Sequence, residues 1–352
     1  MKISNFDICV VGAGPAGSSA AREAAKNGVN VVIIERKKSV GEPVRCAEYI
    51  PQLLLGSADA GNEFIVQKVK GMRTILPSGE VNEIIAPGLM INRDKFDKAI
   101  AREAVKSGAT LISSCNAVAF ENECIITKNI KGEISFIQPK IIIGADGPFS
   151  TVGRWINSVN KYLIPGIQAS FNLVKPLDMT EVYFQKEIFA GYGWVFPKTN
   201  VANVGLGMLP EKGHIKRIFQ LFADRLKAQG TITGNPIHWT AGWIPAEPVR
   251  QITSKNIMLA GDAAGQTHPI TGAGVTQAII CGKMAGQWAA HGIKTNNIKN
   301  AMDGYEYDWK DDFAESQTNA RIRRELMESK WYDLDSIIKS CWISFKEYHR
   351  NI

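Results

Sequence analysis

The chain has 352 residues, 45% of them hydrophobic and 21% charged, with a formal net charge of +7. That is an ordinary globular composition, with material for two domains or for one large α/β domain carrying an insertion. Basic residues are scattered apart from Arg36-Lys37-Lys38 and Arg321 to Arg324, which suits an anionic lipid surface or an acidic electron carrier and argues against nucleic acid. No apolar run reaches the roughly 18–20 residues of a membrane span, so any membrane contact is expected to be peripheral. The six cysteines show no CxxC spacing and no signal-peptide pattern precedes Phe6; a reducing cytoplasm, without disulfides or zinc, is expected.

Phe6 to Val11 reads as a short buried strand ended by glycines, Ser18 to Asn27 as a helix stopped near Gly28, and Val29 to Ile34 as a second strand ending in Glu35. Between the first strand and the helix stands Gly12-x-Gly14-x-Ala16-Gly17. This βαβ unit has the size and glycine spacing of a dinucleotide site. Gly12 permits a tight turn, Gly14 a close approach to a pyrophosphate, and the helix start offers N–H groups to its charge. Glu35 is placed to accept from a ribose hydroxyl pair, with Arg36 next to it.

Val69 to Ile85 is expected to form a hairpin around Pro77-Ser78-Gly79, and Asn92 to Lys106 a helix. Thr110–Ser113, Ala117–Phe120, Ile125–Thr127 and Lys140–Ile143 are strand-like, the last running into Gly144-Ala145-Asp146-Gly147. A stretch rich in β-formers covers 165–208, and Lys212 to Gln229 reads as an amphipathic helix. Asn256 to Ala260 is again a strand, ending in Gly261-Asp262 and followed by His268-Pro269, Gly272-Ala273-Gly274 and a helix from about Ala273 to Ala290. Asp262 suits a ribityl hydroxyl. The bare N–H groups at Gly272 to Gly274 suit the negative edge of a reduced flavin.

Taken together, these three motifs resemble those of the flavin-dependent aromatic-hydroxylase superfold, over residues 6 to about 290. The resemblance implies FAD, held by Gly12, Gly14, Ala16, Gly17, Glu35 and Arg36, by Asp146 and Gly147, and by Gly261, Asp262, Pro269, Gly272, Ala273 and Gly274. Arg93 resembles the arginine that touches the cofactor in that superfold. The implied fold is α/β: a Rossmann-type FAD-binding domain over 1–160 and 251–295, a β-rich substrate domain inserted at 161–250, and a helical C-terminal segment at 296–352.

A narrower resemblance concerns the reaction. Tyr192-Gly-Trp194-Val-Phe196-Pro197, seven residues, then Gly205-Leu-Gly207 is similar to the YxWxFPx(7–8)GxG signature of geranylgeranyl reductases. Gly41 to Glu48 resembles the Gly-x-x-x-Arg-Cys stretch of the same family, here with Arg45, Cys46 and Ala47 expected at the cofactor. The family, to whose archaeal digeranylgeranylglycerophospholipid reductases the chain looks close, implies FAD-dependent saturation of C=C bonds in polyprenyl lipids. Alternate residues of a strand share a face, so Tyr192, Trp194 and Phe196 would line one apolar wall for a hydrocarbon chain. A guanidinium beside a thiol favours thiolate, which makes Arg45 the expected partner of Cys46. Cys46 and His268 are the candidate catalytic residues; Tyr192 and an ordered water are further proton-donor candidates. The chain holds no second dinucleotide fingerprint, so electrons are expected from visiting NADPH or from a ferredoxin-like carrier protein. An FAD monooxygenase or halogenase acting on a small aromatic substrate is the competing enzyme reading, and a non-catalytic flavin-containing lipid carrier is a third.

Trp331, Leu334, Ile338, Trp342 and Phe345 recur at helical spacing behind Arg321, Arg323 and Arg324. This segment is expected either to pack over the FAD domain or to rest on a membrane.

Overall fold

The computed structural model describes residues 3–209, 214–247 and 249–349. In its first sheet Ile257–Leu259, Ile134–Gly144, Ile3–Val11, Val31–Ile34 and Thr110–Ile112 lie side by side and parallel. Parallel strands covered on both faces are continuous apolar runs, and Ile8, Val10, Ile141 and Ile143 are fully buried. The hairpin of Cys115–Glu121 and Cys124–Asn129 pairs with the early half of Ile134–Gly144. That pairing is why the latter strand starts well before the expected Lys140. Two helices, Pro15–Lys26 and Val275–Lys294, pack against this core and approach each other closely through Ala16, Ala20, Gly282 and Gly286.

The second sheet runs Ile232–Pro245, Leu163–Leu173, Val201–Gly207, Tyr192–Lys198, Thr180–Tyr183, Ile65–Ile75, Val81–Ile91, Tyr49–Pro51. Residues 49–91 therefore supply three of its strands, including the expected hairpin, and 163–245 the other five. Ile65–Ile75 and Thr180–Tyr183, the neighbours that join the two stretches, are parallel to one another. The edge strand Ile232–Pro245 carries Gly234 and Pro236 and is largely exposed. A strand with one bonded neighbour and no fully covered face leaves neither an apolar run nor strict alternation in the sequence. The helix Ile215–Ala228 covers one face of the sheet, burying Phe219, Phe222, Ala223 and Leu226 against Phe171, Val195, Val204 and Leu206. The start expected for this helix, at Lys212, lies outside the described residues.

The C-terminal helices Ile298–Trp309, Glu315–Ser329 and Leu334–Cys341 follow. Trp331, Leu334, Ile338, Trp342 and Phe345 are all buried, packed on the other face of the second sheet with Val182, Phe184, Trp194 and Phe196. The membrane alternative is corrected: the apolar stripe is buried on the second sheet, where it meets Val69, Leu76 and Met90 of the segment expected to bind FAD as well as strands of the 163–245 stretch. The basic cluster before it is also consumed internally. Arg321 donates to the Ala246 carbonyl (3.0 Å) and pairs with Glu325 (2.9 Å), Arg323 lies over the Tyr348 ring (4.1 Å), and Arg324 is 1% exposed. No helix among the described residues is long and apolar enough to cross a membrane.

Candidate active site

The three glycine motifs meet at the carboxyl ends of the parallel strands, where open α/β sheets bind their ligands. Gly12 N–H donates to Ile34 O (2.8 Å), Ala145 N–H to Val11 O (2.8 Å) and Ala260 N–H to Gly144 O (2.9 Å), which stitches the turns into one row. Gly12 has φ +101°, and a Cβ there would stand 2.3 Å from Ala145 O. Only glycine passes so close in that conformation. The buried Glu35 carboxylate accepts from Ala13 N–H (2.8 Å) and Lys37 N–H (2.9 Å), so it shapes the first turn. Its neighbour Arg36 is exposed. Asp146 accepts from the Ser150 hydroxyl and from the N–H groups of Thr151 and Val152. Its carboxylate is thus directed to the start of the next helix, and Gly147, at φ +86°, completes the turn. Asn160, which sequence reasoning missed, donates to Pro148 O (2.9 Å) and Asp262 O (2.8 Å) and ties the second motif to the third.

These residues fit a bound dinucleotide. Pro15–Lys26 and Val275–Lys294 begin at Gly14 and Gly274, with no side-chain cap and no acidic residue in the first turn. Their unsatisfied N–H groups and positive helix ends suit anionic groups. A Cβ at Gly14 would meet nothing within 4 Å, so the space beside that turn is open. Asp262 accepts from the Thr267 hydroxyl through Oδ1 (2.9 Å). Burial pushes its carboxyl up; the Thr267 bond and the charge of Arg93 oppose this.

Arg93 opens the helix Arg93–Lys106 and grips Asp97 in two bonds, 2.9 and 3.1 Å. The Cys46 sulfur lies close enough to interact with this guanidinium electrostatically. Burial alone would lower this guanidinium, but the Asp97 carboxylate and Cys46 outweigh it and push it up. The expected Arg45–Cys46 partnership is therefore corrected: Arg45 is exposed beside Gly242, and the cation at the thiol comes from a helix distant in sequence. The Cys46 loop is held by groups the sequence did not mark. Glu48, buried at φ +69°, accepts from Arg93 N–H (2.9 Å), Lys198 Nζ (2.7 Å) and Asn203 Nδ2 (2.9 Å). Asn203 also donates to Ala47 O (3.2 Å), and Gln168 to Cys46 O (3.2 Å).

The aromatic strand meets this loop. Tyr192 and Trp194 rings lie 5.9 Å apart, Trp194 and Phe196 6.3 Å, and Phe196 is 6.0 Å from Tyr49. The indole N–H of Trp194 donates to Gln168 Oε1 (2.9 Å), whose amide holds Cys46. The register explains the two glycines that follow. Gly207 pairs with Tyr192 and Gly205 with Trp194, so each ring stands opposite a residue without a side chain. A Cβ at Gly205 would lie 2.4 Å from Trp194 Cζ2. Gly205→Ala is expected to displace that indole and lower stability by about 1–3 kcal/mol, measured by urea unfolding. An unchanged midpoint would show that the ring does not need this space. Pro197, next on the strand, is buried opposite Ala202. The Tyr192 hydroxyl donates to Thr271 O in the turn before Gly272, and burial pushes its ionisation well above the usual phenol range.

His268 is turned into its own loop. Its Nδ1 accepts from Ile270 and Thr271 N–H (3.4 and 3.3 Å), and Nε2 faces Tyr348 Oη at 3.3 Å. Burial, aided by the Arg323 charge, pulls it down from 6.5 to about 4. At neutral pH it is an uncharged imidazole that shapes the turn, which corrects its expected role as an acid. The unfolded chain binds the extra proton between these two values, so this contribution to stability is complete above 6.5 and shrinks as pH falls toward 4. The loss is about 3 kcal/mol. His268→Gln should flatten that stretch of the unfolding free energy against pH; an unaltered slope would assign it to other groups. Pro269, buried beside it, is fastened by Arg324, which donates to Pro269 O and Ala190 O, both at 2.9 Å.

Residues 7–41 match the FAD dependent oxidoreductase family model, and 163–244 match that of the geranylgeranyl reductase catalytic domain. The chain is 33% identical over 352 residues to the digeranylgeranylglycerophospholipid reductase of Methanocaldococcus jannaschii, covering 95% of this chain and 90% of that protein. The chain belongs to the geranylgeranyl reductase family. The corresponding protein of Thermoplasma acidophilum is 34% identical over 349 residues, covering 92% and 88% of the two chains. A crystal structure of a geranylgeranyl bacteriochlorophyll reductase-like protein from T. acidophilum superposes with a TM-score of 0.86 at 32% identity, over 98% of this chain and 92% of the other. A flavin-dependent brominase shares the fold (TM-score 0.74, covering 95% and 91%) at 19% identity. As a family member this geranylgeranyl reductase homologue is an FAD-dependent oxidoreductase.

Proposed function

We propose that this reductase saturates C=C bonds in the geranylgeranyl chains of a glycerophospholipid, with FAD as its cofactor. The observation that carries the reading is the juxtaposition of an aromatic row, Tyr192, Trp194 and Phe196, with the cysteine loop through Gln168. A hydrocarbon chain finds apolar surface along the rings, and the relatives' names supply the lipid class. Gly12, Gly14, Ala16, Gly17 and Glu35 would hold the ADP half of FAD, with Gly147 beside the pyrophosphate. Gly261 and Asp262 would hold the ribityl chain, and Pro269 with the turn Gly272-Ala273-Gly274 the ring system. FAD, reduced by NADPH or a ferredoxin-like carrier, supplies hydride to one alkene carbon when bound.

The second carbon needs a proton. Neutral His268 and the buried, hydrogen-bonded Tyr192 hydroxyl are both poor sources. Among the candidate side chains the thiol of Cys46 is left, and its Sγ–H, in preference to an ordered water, is proposed as the donor. The anion left on sulfur after transfer is stabilised by the nearby charge of the Arg93 guanidinium. Water exclusion by the aromatic wall keeps the proton from being supplied at random.

The test is anaerobic. Dithionite-reduced holoprotein mixed with a geranylgeranyl glycerophospholipid should reoxidise and yield product heavier by about 2 Da for each double bond reduced. No reoxidation without oxygen, together with an oxygenated product in air, would make it a monooxygenase.

A further inference from the structure

We infer that the outer face of the edge strand Ile232–Pro245 docks on an anionic lipid surface, an inference that rests on the lipid-substrate reading above. Along this strand Ile237, Trp239 and Trp243 share one face and are 60%, 48% and 46% exposed. From Ile237 to Trp243 the row runs about 20 Å at the rise of a β-strand. Phe149, 57% exposed in the second glycine motif, extends it by meeting the Trp243 ring edge-on at 5.9 Å. Single exposed apolar residues are commonplace, but four on one face, three of them aromatic, mark a contact surface.

The charges around the row choose the partner. The helix Ile215–Ala228, whose Phe219 touches the Trp239 ring at 4.9 Å, exposes Lys216 and Arg217 against the single acid of the helix, Asp224, while its Arg225 pairs with Glu187 (3.6 Å). At the other end Arg154 is exposed and bonds Phe149 O (3.2 Å). Tryptophan flanked by cations is the chemistry of a bilayer interface with anionic headgroups. A second copy of the chain would bring like charges together, and Pro236 removes a donor from any ladder along this edge. The opposite face of the same strand belongs to the site: Thr240 donates to Val44 O (2.6 Å), and Gly242 and Ile244 lie against Arg45 and Gly272. Docking there sets the lipid surface beside the cysteine loop.

The test uses FAD-loaded protein and vesicles of phosphatidylglycerol or phosphatidylcholine. Cosedimentation should favour phosphatidylglycerol at least 10-fold, and the double variant Trp239→Ser, Trp243→Ser should lose at least 10-fold of that binding. Its turnover of detergent-dispersed lipid, measured well below its thermal midpoint, should match the parent. Equal binding by parent and variant, or binding to neither vesicle, would overturn the docking surface. So would a parent dimer that the double variant dissolves, since the row would then be a subunit interface. Turnover without vesicle binding sinks only this inference, whereas vesicle binding without any alkene reduction sinks only the proposed reaction.

Discussion

Cys46→Ala is expected to lower lipid turnover about 100- to 10,000-fold, the range of a lost general acid, while leaving FAD bound. The cofactor turns do not depend on the thiol. Gly12, Asp146 and Asp262 are held by backbone groups, Ser150, Asn160 and Thr267. The loop carrying Cys46 is pinned separately, through Glu48, Gln168 and Asn203. Loss of the sulfur therefore removes a proton source and one hydrogen bond from Glu48 N–H (3.2 Å), with little else disturbed. Cys46→Ser keeps a proton of lower acidity and should fall between the two. Single-turnover reoxidation of the reduced protein, read by flavin absorbance, reports the chemical step. A wild-type rate in Cys46→Ala with FAD in place would transfer the proton to bound water and remove the thiol from the mechanism.

Arg324→Met should cost about 3–5 kcal/mol of stability, the usual range when one partner of a buried ion pair is removed. The side chain is almost wholly buried, 2.7 Å from Glu328. It satisfies the carbonyls of Pro269 and Ala190, and the variant would leave both without that donor. Because Pro269 belongs to the turn proposed to meet the flavin ring, FAD retention should weaken as well. Urea unfolding with and without added FAD separates the two effects. A change under about 1 kcal/mol would mean that water replaces the guanidinium at both carbonyls.

The site was legible wherever function depends on backbone shape. Gly12, Gly14, Gly261 and Gly274 stand next to strands and helices that announce themselves by apolar runs, and their spacing survives as a sequence pattern. Tyr192, Trp194, Gly205 and Gly207 were legible for the same reason: a period of two along each strand, read across one hairpin, is local information. Side-chain partnerships were not. Arg93 stands 47 positions from Cys46 in sequence and reaches it only because a helix and a loop pack together. Glu48, Gln168 and Asn203 are unremarkable polar residues until burial forces each to find a partner. His268 was visible as a residue, but its charge state depends on surroundings drawn from the turn, Arg323 and Tyr348.

The C-terminal segment draws the same line. Its helical period is plain in Trp331, Leu334, Ile338, Trp342 and Phe345, yet an apolar stripe fits a lipid surface and a protein interior equally well. Only the fold decided, by placing Trp342 against Tyr192 (4.9 Å) and Phe184 (5.1 Å) with its indole N–H on Thr74 (3.1 Å). The sequence by itself determined the glycine turns, the aromatic row and the cofactor class, because these follow from bonds and dihedral angles between near neighbours. The tertiary structure decided which cation serves Cys46, what charge His268 carries and where the C-terminal stripe is buried. Desolvation and long-range contact energies exist only once distant segments meet.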